Sequence, residues 1–369
     1  MINDEGGILV KEEVRKIKVL RVINRFNIGG PTYNATFLTS FLGDEYETLL
    51  VGGLPEKDEA DSLYILKKYD VEPILIEELK REPNLTSDRK AYRKLKEIIK
   101  KFNPDIVHTH AAKAGALGRR AAHKCGVPVI IHTFHGHIFN SYFGSLKTSL
   151  FKNIERNLAR KSTGIIAISD IQKRELSEVY KICNKEKIEV IQLGFDLAPF
   201  KLKRTEERKR TRDKYKIQEN EIAIAIIGRL APIKDHLFFI ESIYKVLEKT
   251  NKKIQVFIVG DGIERELIQM EINKLNEKFG ECVRLTSWIK DIGTFNAGMD
   301  IICLTSKNEG TPVSLIEAQA ANIPVITTDV GGVRDIVKEN ETGVIVRGRD
   351  TSVYANEVLE LIENEKKRI

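Results

Sequence analysis

Apolar residues in this chain come in short dense runs, separated by longer stretches in which apolar positions recur at helical spacing. Runs rich in Val, Ile and Leu that close on glycine, asparagine or histidine read as strands buried on both faces. Ile17-Lys18-Val19-Leu20-Arg21-Val22-Ile23 is the first of them. Others fall at 47–51, 73–76, 105–109, 128–133 and 163–168. A second series starts at Glu221–Ile227 and continues at 254–259, 282–285, 300–304, 324–327 and 343–346. Neither series repeats the other in sequence, but both alternate strand with helix, which predicts α/β units built on parallel sheets. The expected fold is two Rossmann-like parallel-sheet domains facing a cleft, at 1–195 and 196–369, with a boundary linker at about 192–216. Residues 1–16 are polar and charged and carry no clear signal beyond a short extra helix.

In open parallel sheets ligands sit beyond the carboxyl ends of the strands, so the residues closing each run matter most. Ser306-Lys307-Asn308-Glu309-Gly310-Thr311-Pro312-Val313-Ser314-Leu315-Ile316-Glu317-Ala318 is a polar loop running into a helix start. Thr311 reads as the N-cap, with Pro312 at the first helical position, where a missing N–H costs nothing. Gly310 lets backbone approach a ligand closely. The N–H groups over 312–314 then point out of the positive helix end, a ready anion site. Glu309 in the loop and Glu317 inside the helix flank that mouth. On spacing alone the two glutamates read more simply as solvated charges. The ordered sequel, Ala318 through Asp335, reads helix, turn, buried strand and Gly331-Gly332 loop, and turns the choice toward a ligand site.

A second motif is Ile226-Ile227-Gly228-Arg229-Leu230-Ala231-Pro232-Ile233-Lys234-Asp235, where a strand ends, glycine turns the chain and two cations follow. Arg229 as a fork and Lys234 as a point charge suit a diphosphate. Near the N-terminus, Asn27-Ile28-Gly29-Gly30-Pro31-Thr32 is a glycine turn into a helix. It lacks the Gly-x-Gly-x-x-Gly pattern, and Val259-Gly260-Asp261-Gly262 lacks the third glycine too, so a dinucleotide fingerprint fails. His108, His110, His132, His135 and His137 cluster at two strand ends. A His-x-His pair can hold a metal, but no Asp, Glu or Cys lies at ligand spacing, so hydrogen bonding to loops, with one imidazole facing a ligand, is expected instead.

The totals change this picture little. At 369 residues two domains are the default, and 42% hydrophobic with 31% charged content is that of a soluble globular protein. No run approaches the length of a membrane span, and the acidic start with its short Ile8-Leu9-Val10 is not a signal peptide. Four scattered cysteines suggest a reducing compartment without a disulfide framework or zinc site. A cytoplasmic location is therefore expected, with peripheral attachment at the inner face of the membrane as the alternative. The net charge of +7 is concentrated between Lys201 and Lys216, read as a solvated linker or helix face, or as an anchor to an anionic membrane surface. No RNA-binding signature accompanies it, so nucleic acid is not an expected partner. Phe139-Asn140-Ser141-Tyr142-Phe143 precedes Leu146, Leu150, Phe151, Ile154 and Leu158, interleaved with Lys147, Lys152, Arg156, Arg160 and Lys161. This amphipathic pattern allows core packing with a solvated basic face, or a helix lying on a membrane and presenting a lipid-linked acceptor.

The run from Glu309 to Gly343, with its glutamate pair, Gly-Thr-Pro turn, strand and Gly-Gly loop in order, resembles the signature of the retaining glycosyltransferase family 4, of GT-B fold. The likeness extends over roughly 17–363, and the Phe134-His135-Gly136-His137 context is similar to members that build bacterial surface polysaccharides. It implies transfer of a sugar from a nucleoside-diphosphate sugar, most simply UDP-GlcNAc or UDP-glucose, to an acceptor hydroxyl, without a metal or other cofactor. By resemblance, Gly29 and Gly30 present N–H groups to the donor phosphates, and His135 contacts the transferred sugar. Arg229 and Lys234 bind the pyrophosphate. Glu309 holds the sugar hydroxyls, with Gly310, Thr311, Pro312, Val313 and Ser314 alongside. Glu317 grips the ribose, and Trp288-Ile289 lodges the base. Two departures stand out: Asp235 replaces a glycine usual after the lysine, and the sequence stops soon after a helix near Ser352, where members run on into a further helix. A UDP-sugar 2-epimerase of the same architecture is the rival reading, while a glycoside hydrolase needs two carboxylates bracketing one glycosidic bond.

Overall fold

The structure is a computed structural model. It describes residues 15–27, 29–55, 62–80, 82–136, 145–201 and 204–368, with side chains in the helix that opens at Ser145 described from Thr148 onward. Residues 1–14, His137 and Phe139–Phe143, about which the sequence raised expectations, lie outside that set. The described residues divide into two compact units. The first holds residues up to Pro55, those from 62 to Ile166, and Leu176–Glu189; the second holds Ala167–Glu175 and Val190 onward.

The sheet of the first unit contains β1 (Ile17–Arg25), β2 (Tyr46–Gly53), β3 (Ile74–Leu75), β4 (Ile106–His110), β5 (Val129–Phe134), β6 (Gly164–Ala167) and β7 (Ile188–Val190). Their spatial order is β3-β2-β1-β4-β5-β6-β7. β1 pairs in parallel with β2 on one side and β4 on the other, so the winding reverses between β1 and β4. All but β7 follow the expected runs within a residue or two. β7 was not expected, because three residues interrupted by Glu189 leave no apolar run to recognise. One face of the sheet, from Leu20, Val22, Val51, Val107 and Ile130, packs on Ala91, Leu95 and Ile99 of the helix Leu85–Phe102. That helix starts where Asn84 accepts a hydrogen bond from the Ser87 N–H, and it ends at Asn103, which takes up a left-handed conformation.

The amphipathic segment forms the helix Ser145–Lys161, but its buried stripe is not the purely apolar one expected. Leu158 and Ala159 are buried and Leu150 is exposed. Glu155 is buried as well, paired at 2.7 Å with a fully buried Arg119 from the helix Ala112–Lys124. Arg119 also donates to the Gly115 carbonyl, so the buried charge is compensated on two sides.

The sheet of the second unit contains β8 (Ile222–Ile227), β9 (Ile254–Val259), β10 (Val283–Thr286), β11 (Ile301–Leu304), β12 (Val325–Thr328) and β13 (Gly343–Val346), in the order β10-β9-β8-β11-β12-β13. Every neighbouring pair in it is parallel. The winding here reverses between β8 and β11. Helices His236–Leu247, Arg265–Phe279 and Thr351–Glu363 cover one face through Phe239, Ile243, Ile268, Ile272, Tyr354 and Val358. The Tyr354 hydroxyl reaches the carbonyls of Leu304 and Ile326, pinning β11 and β12 close to the ends that carry the site.

The basic run carries a helix, as one of its readings had it, but it is not uniformly solvated. It forms the helix Arg204–Tyr215 in the second unit. Arg212 is 2% exposed and shares Asp300 with Arg208, while Arg212 also donates to the carbonyls of Gln218 and Glu221. Asp300 in turn accepts from the Ala223 N–H at the start of β8, so part of the positive charge is consumed in fixing the sheet.

Candidate functional site

Parallel strands put all their carboxyl ends on one edge, and the winding reversal opens a crevice between the two loops that diverge there. In the second unit those are the loops after β8 and β11. They are joined at their centre: the Lys234 ammonium donates to Glu309 Oε1. Ser306 Oγ donates to the same oxygen at 2.5 Å. The Lys307 N–H bonds to the Ile233 carbonyl at 2.8 Å, and Thr305 Oγ1 reaches the carbonyls of Lys234 and Asp235. Glu309, with a side chain only 10% exposed, is thus held in one orientation by a cation, a hydroxyl and a fixed loop.

Asp235 has φ 51, in the left-handed region, where glycine would fit without strain. Aspartate is tolerated because it gains partners: Arg349 donates to its carboxylate and Lys307 lies 3.4 Å away. Arg349 also binds the carbonyls of Thr305 and Ser306 and stacks over Phe238 at 4.6 Å. Ser306, Asp235 and Arg349 were not assigned from sequence. Arg349 offers no local signal, since it lies 114 residues from its partner.

The helix after the loop runs from Val313 to Ala320, one residue later than expected. Pro312, extended at ψ 90, is itself the N-cap, and Thr311 makes no capping bond. Because proline has no N–H, the free donors at this tip are Val313 and Ser314; Leu315 already bonds back to the Pro312 carbonyl. Glu317 lies inside the helix, and burial pushes its carboxyl up to about 8. A carboxyl raised that far can, when protonated, donate as well as accept.

The Gly331-Gly332 loop after β12 packs backbone on backbone against the same loop. Gly331 has φ 51, and a Cβ there would lie 1.7 Å from the Glu309 carbonyl oxygen. One on Gly332 would lie 2.1 Å from that of Gly310, while the Gly332 N–H bonds to Glu309 O. Gly260 does likewise after β9: a Cβ would meet the Gly228 carbonyl at 2.0 Å, so this glycine serves loop packing. Arg229 is exposed, and no partner holds its side chain among the described residues. Trp288 and Ile289 follow β10 on the same sheet edge; Ile289 also packs on the core that includes Phe257 and Phe295. A cavity of about 560 Å³ beside the loop shares Thr311 and is lined by Phe195, Ile316, Gln319 and Asp335 among others.

In the first unit, the reversal lies between β1, which leads to Gly29, and β4, which ends at His110. The helix Gly30–Ser40 starts as expected, with Pro31 in its first turn and Gly29 as N-cap. Gly29 is extended, and a Cβ there would make only an ordinary contact with Pro31, so packing does not demand glycine. The histidines are mutually arranged. His110 Nδ1 lies 2.9 Å from His135 Nε2, His108 bonds to Thr133 Oγ1 and His132 to Thr109 Oγ1. Burial holds His108 down to about 3 and His135 to about 4, and drives His110 and His132 well below their ordinary range. Among the described residues no three His, Cys, Asp or Glu side chains are placed to hold a metal ion. All four cysteines are free, and no described helix is long and apolar enough to cross a membrane.

Residues 207–369 match the family described as Glycosyl transferases group 1, and residues 43–199 that described as Glycosyltransferase Family 4. Among curated relatives, an Escherichia coli UDP-Gal:alpha-D-GlcNAc-diphosphoundecaprenol alpha-1,3-galactosyltransferase is 30% identical over 80% of this chain and 76% of its own length. The Staphylococcus aureus capsular polysaccharide biosynthesis glycosyltransferase CapM is 29% identical over 82% and 79%. Among solved structures, Anabaena Alr3699/HepE in complex with UDP-glucose superposes with a TM-score of 0.75 at 19% identity, covering 95% of this chain and 91% of that one. Two parallel-sheet units with this winding, and this likeness to solved structures, define the GT-B fold, and the family and relative matches make the chain a glycosyltransferase. The chain belongs to glycosyltransferase family 4.

Proposed function

We propose that the protein is a retaining transferase that moves a hexosyl or acetylhexosaminyl group from a UDP-sugar to a hydroxyl of a lipid-linked acceptor sugar in the synthesis of a surface polysaccharide or glycolipid. The observation that carries the reading is the Lys234–Glu309 pair spanning the winding reversal beside an open helix tip. An ammonium has three donors, so Lys234 can hold Glu309 and still offer N–H groups to a phosphate. Arg229, exposed and uncommitted, supplies a second cation, and the Val313 and Ser314 N–H groups supply the positive helix end. Glu309 then orients sugar hydroxyls, Glu317 takes the ribose and the Trp288-Ile289 turn the base. Gly29, Gly30 and His135 of the first unit complete the set by family resemblance. The UDP-glucose bound by the HepE structure and the UDP-Gal donor named for the E. coli relative favour a uridine nucleotide. The diphosphoundecaprenol in that relative's name favours a lipid-linked acceptor, and exposed Leu150 on a basic helix is compatible with an anionic membrane surface beside it.

In the reaction, the bond from the anomeric carbon to the β-phosphate oxygen breaks as positive charge builds on the sugar ring. The cations and helix tip stabilise the charge left on the diphosphate. Such preorganised donors contribute a few kcal/mol each, about 3 for a single one. The departing phosphate oxygen accepts the proton of the acceptor hydroxyl, whose oxygen bonds to the anomeric carbon on the face just vacated. No resident metal or separate general base is required. Family membership favours transfer over the rival 2-epimerisation. Incubation with UDP-glucose, UDP-galactose and UDP-GlcNAc plus a lipid-linked acceptor, with NMR of the product anomer, tests the reading: retained configuration supports it, and an inverted linkage overturns the mechanism.

A further inference from the structure

In the first unit a hydrogen bond joins two imidazoles that are both kept neutral. His110, fully buried at the end of β4, sets its Nδ1 2.9 Å from His135 Nε2, and the rings stack with centroids 5.2 Å apart. The outer nitrogen of each ring, His110 Nε2 and His135 Nδ1, is buried without a hydrogen-bond partner among the described residues. Arg21, 3% exposed, stands in register with His108 on β1 and its charge acts on both His108 and His110, whose tilted rings have centroids 4.2 Å apart. Arg21 makes one long contact to Thr39, and a further positive charge on either histidine would be placed close to it.

A neutral imidazole carries one proton, so one hydrogen bond between two rings fixes both tautomers. If His135 donated, His110 would keep a protonated Nε2 with no acceptor among the described residues, buried in the field of Arg21. If His110 donates, its Nε2 is a bare lone pair, which suits a nearby positive charge and is the less costly group to leave unmatched. The unmatched N–H then falls on His135, the outer and partly exposed ring.

We propose that His110 is a positioning residue: it donates its Nδ1–H to His135 Nε2 and thereby leaves His135 with a protonated Nδ1, ready for an acceptor oxygen of the bound sugar or phosphate. The ligand-facing half rests on the proposed role of His135 at the donor; the tautomer lock does not. His135 is thus tuned to oxygens that accept, and it cannot serve as a base through that nitrogen.

Nitrogen-15 NMR of the histidine-labelled chain reads the tautomers directly, with His135 assigned by loss of its signals in His135→Asn. The expected result is a protonated Nδ1 and an unprotonated Nε2 on His135. His110→Asn, whose amide can still donate, keeps that pattern, and His110→Leu loses it to an average of both tautomers. An unprotonated Nδ1 in the native chain, or an unchanged pattern in a folded His110→Leu, overturns the proposal. Adding UDP-glucose separates the two halves. A shift of His135 Nδ1 supports both. A correct tautomer with no shift keeps the lock and removes His135 from the donor site.

Discussion

Lys234 and Glu309 lie 75 residues apart and meet across the winding reversal of the second unit, where the lysine donates to a carboxylate that is 10% exposed. Removing the cation leaves that carboxylate nearly buried with Ser306 as its remaining side-chain partner among the described residues. Lys234→Ala is therefore expected to destabilise the protein by about 1.5–3 kcal/mol, the range for hydrogen bonds to charged groups. It should also lower kcat/KM by roughly 10²–10³-fold, the cost of losing one preorganised donor to a developing anion. Denaturant titration and steady-state kinetics check the two effects separately. A folded variant with native kcat/KM would show that Lys234 serves only to hold the loop.

Gly331 and Gly332 let the loop after β12 lie against Glu309 and Gly310. Gly331→Ala meets both a left-handed φ and a carbonyl at 1.7 Å, so the Glu309 loop has to shift. The expected outcome is a folded protein whose KM for the UDP-sugar rises at least 10-fold, roughly 1.4 kcal/mol. Unchanged KM in this variant would mean that loop position is irrelevant to the donor.

Much of this arrangement was legible in the sequence because the strands are short, apolar and buried on both faces, and because the polar residues closing them stand next to glycine or proline. The run from Ser306 to Gly332 could be read as loop, helix, strand and loop from local chemistry alone. Long-range pairings could not. Nothing near Arg349 points to Asp235, and nothing in Lys201–Lys216 marks Arg212 as the arginine that is buried against Asp300. Local rules also misplace ends by a residue, as at Pro312, whose extended ψ holds it outside the helix. β7 escaped because three residues carry no periodicity.

Burial lowers the pKa of His108, His110, His132 and His135, so acid should weaken the fold through them. Above about pH 6.5 each is neutral both folded and unfolded, and its contribution is fully present. As pH falls from there toward about 4 for His135 and about 3 for His108, the unfolded chain takes up protons that the folded one refuses. Each such histidine then costs about 1.4 kcal/mol per pH unit. Tm measured between pH 7 and 5 should drop steeply, with a shallower slope in His132→Asn. A flat profile over that interval would contradict the buried neutral cluster.

Burial raises the Glu317 carboxyl to about 8. Ribose hydroxyls donating to it would favour the charged form and lower that value, so nucleotide binding at pH 7.5 should expel a fraction of a proton. Titration calorimetry with UDP in two buffers of different ionisation enthalpy measures it. Glu317→Gln should abolish the buffer dependence. Buffer-independent heats in the native protein would remove Glu317 from the ribose.

The most direct measurement is a crystal structure of the chain with UDP-glucose bound. The expected result places phosphate oxygens within hydrogen-bond distance of the Val313 and Ser314 N–H groups and of Arg229, with the sugar on Glu309 and the ribose on Glu317. A nucleotide seated elsewhere, with the helix tip vacant and both glutamates out of its reach, would contradict it.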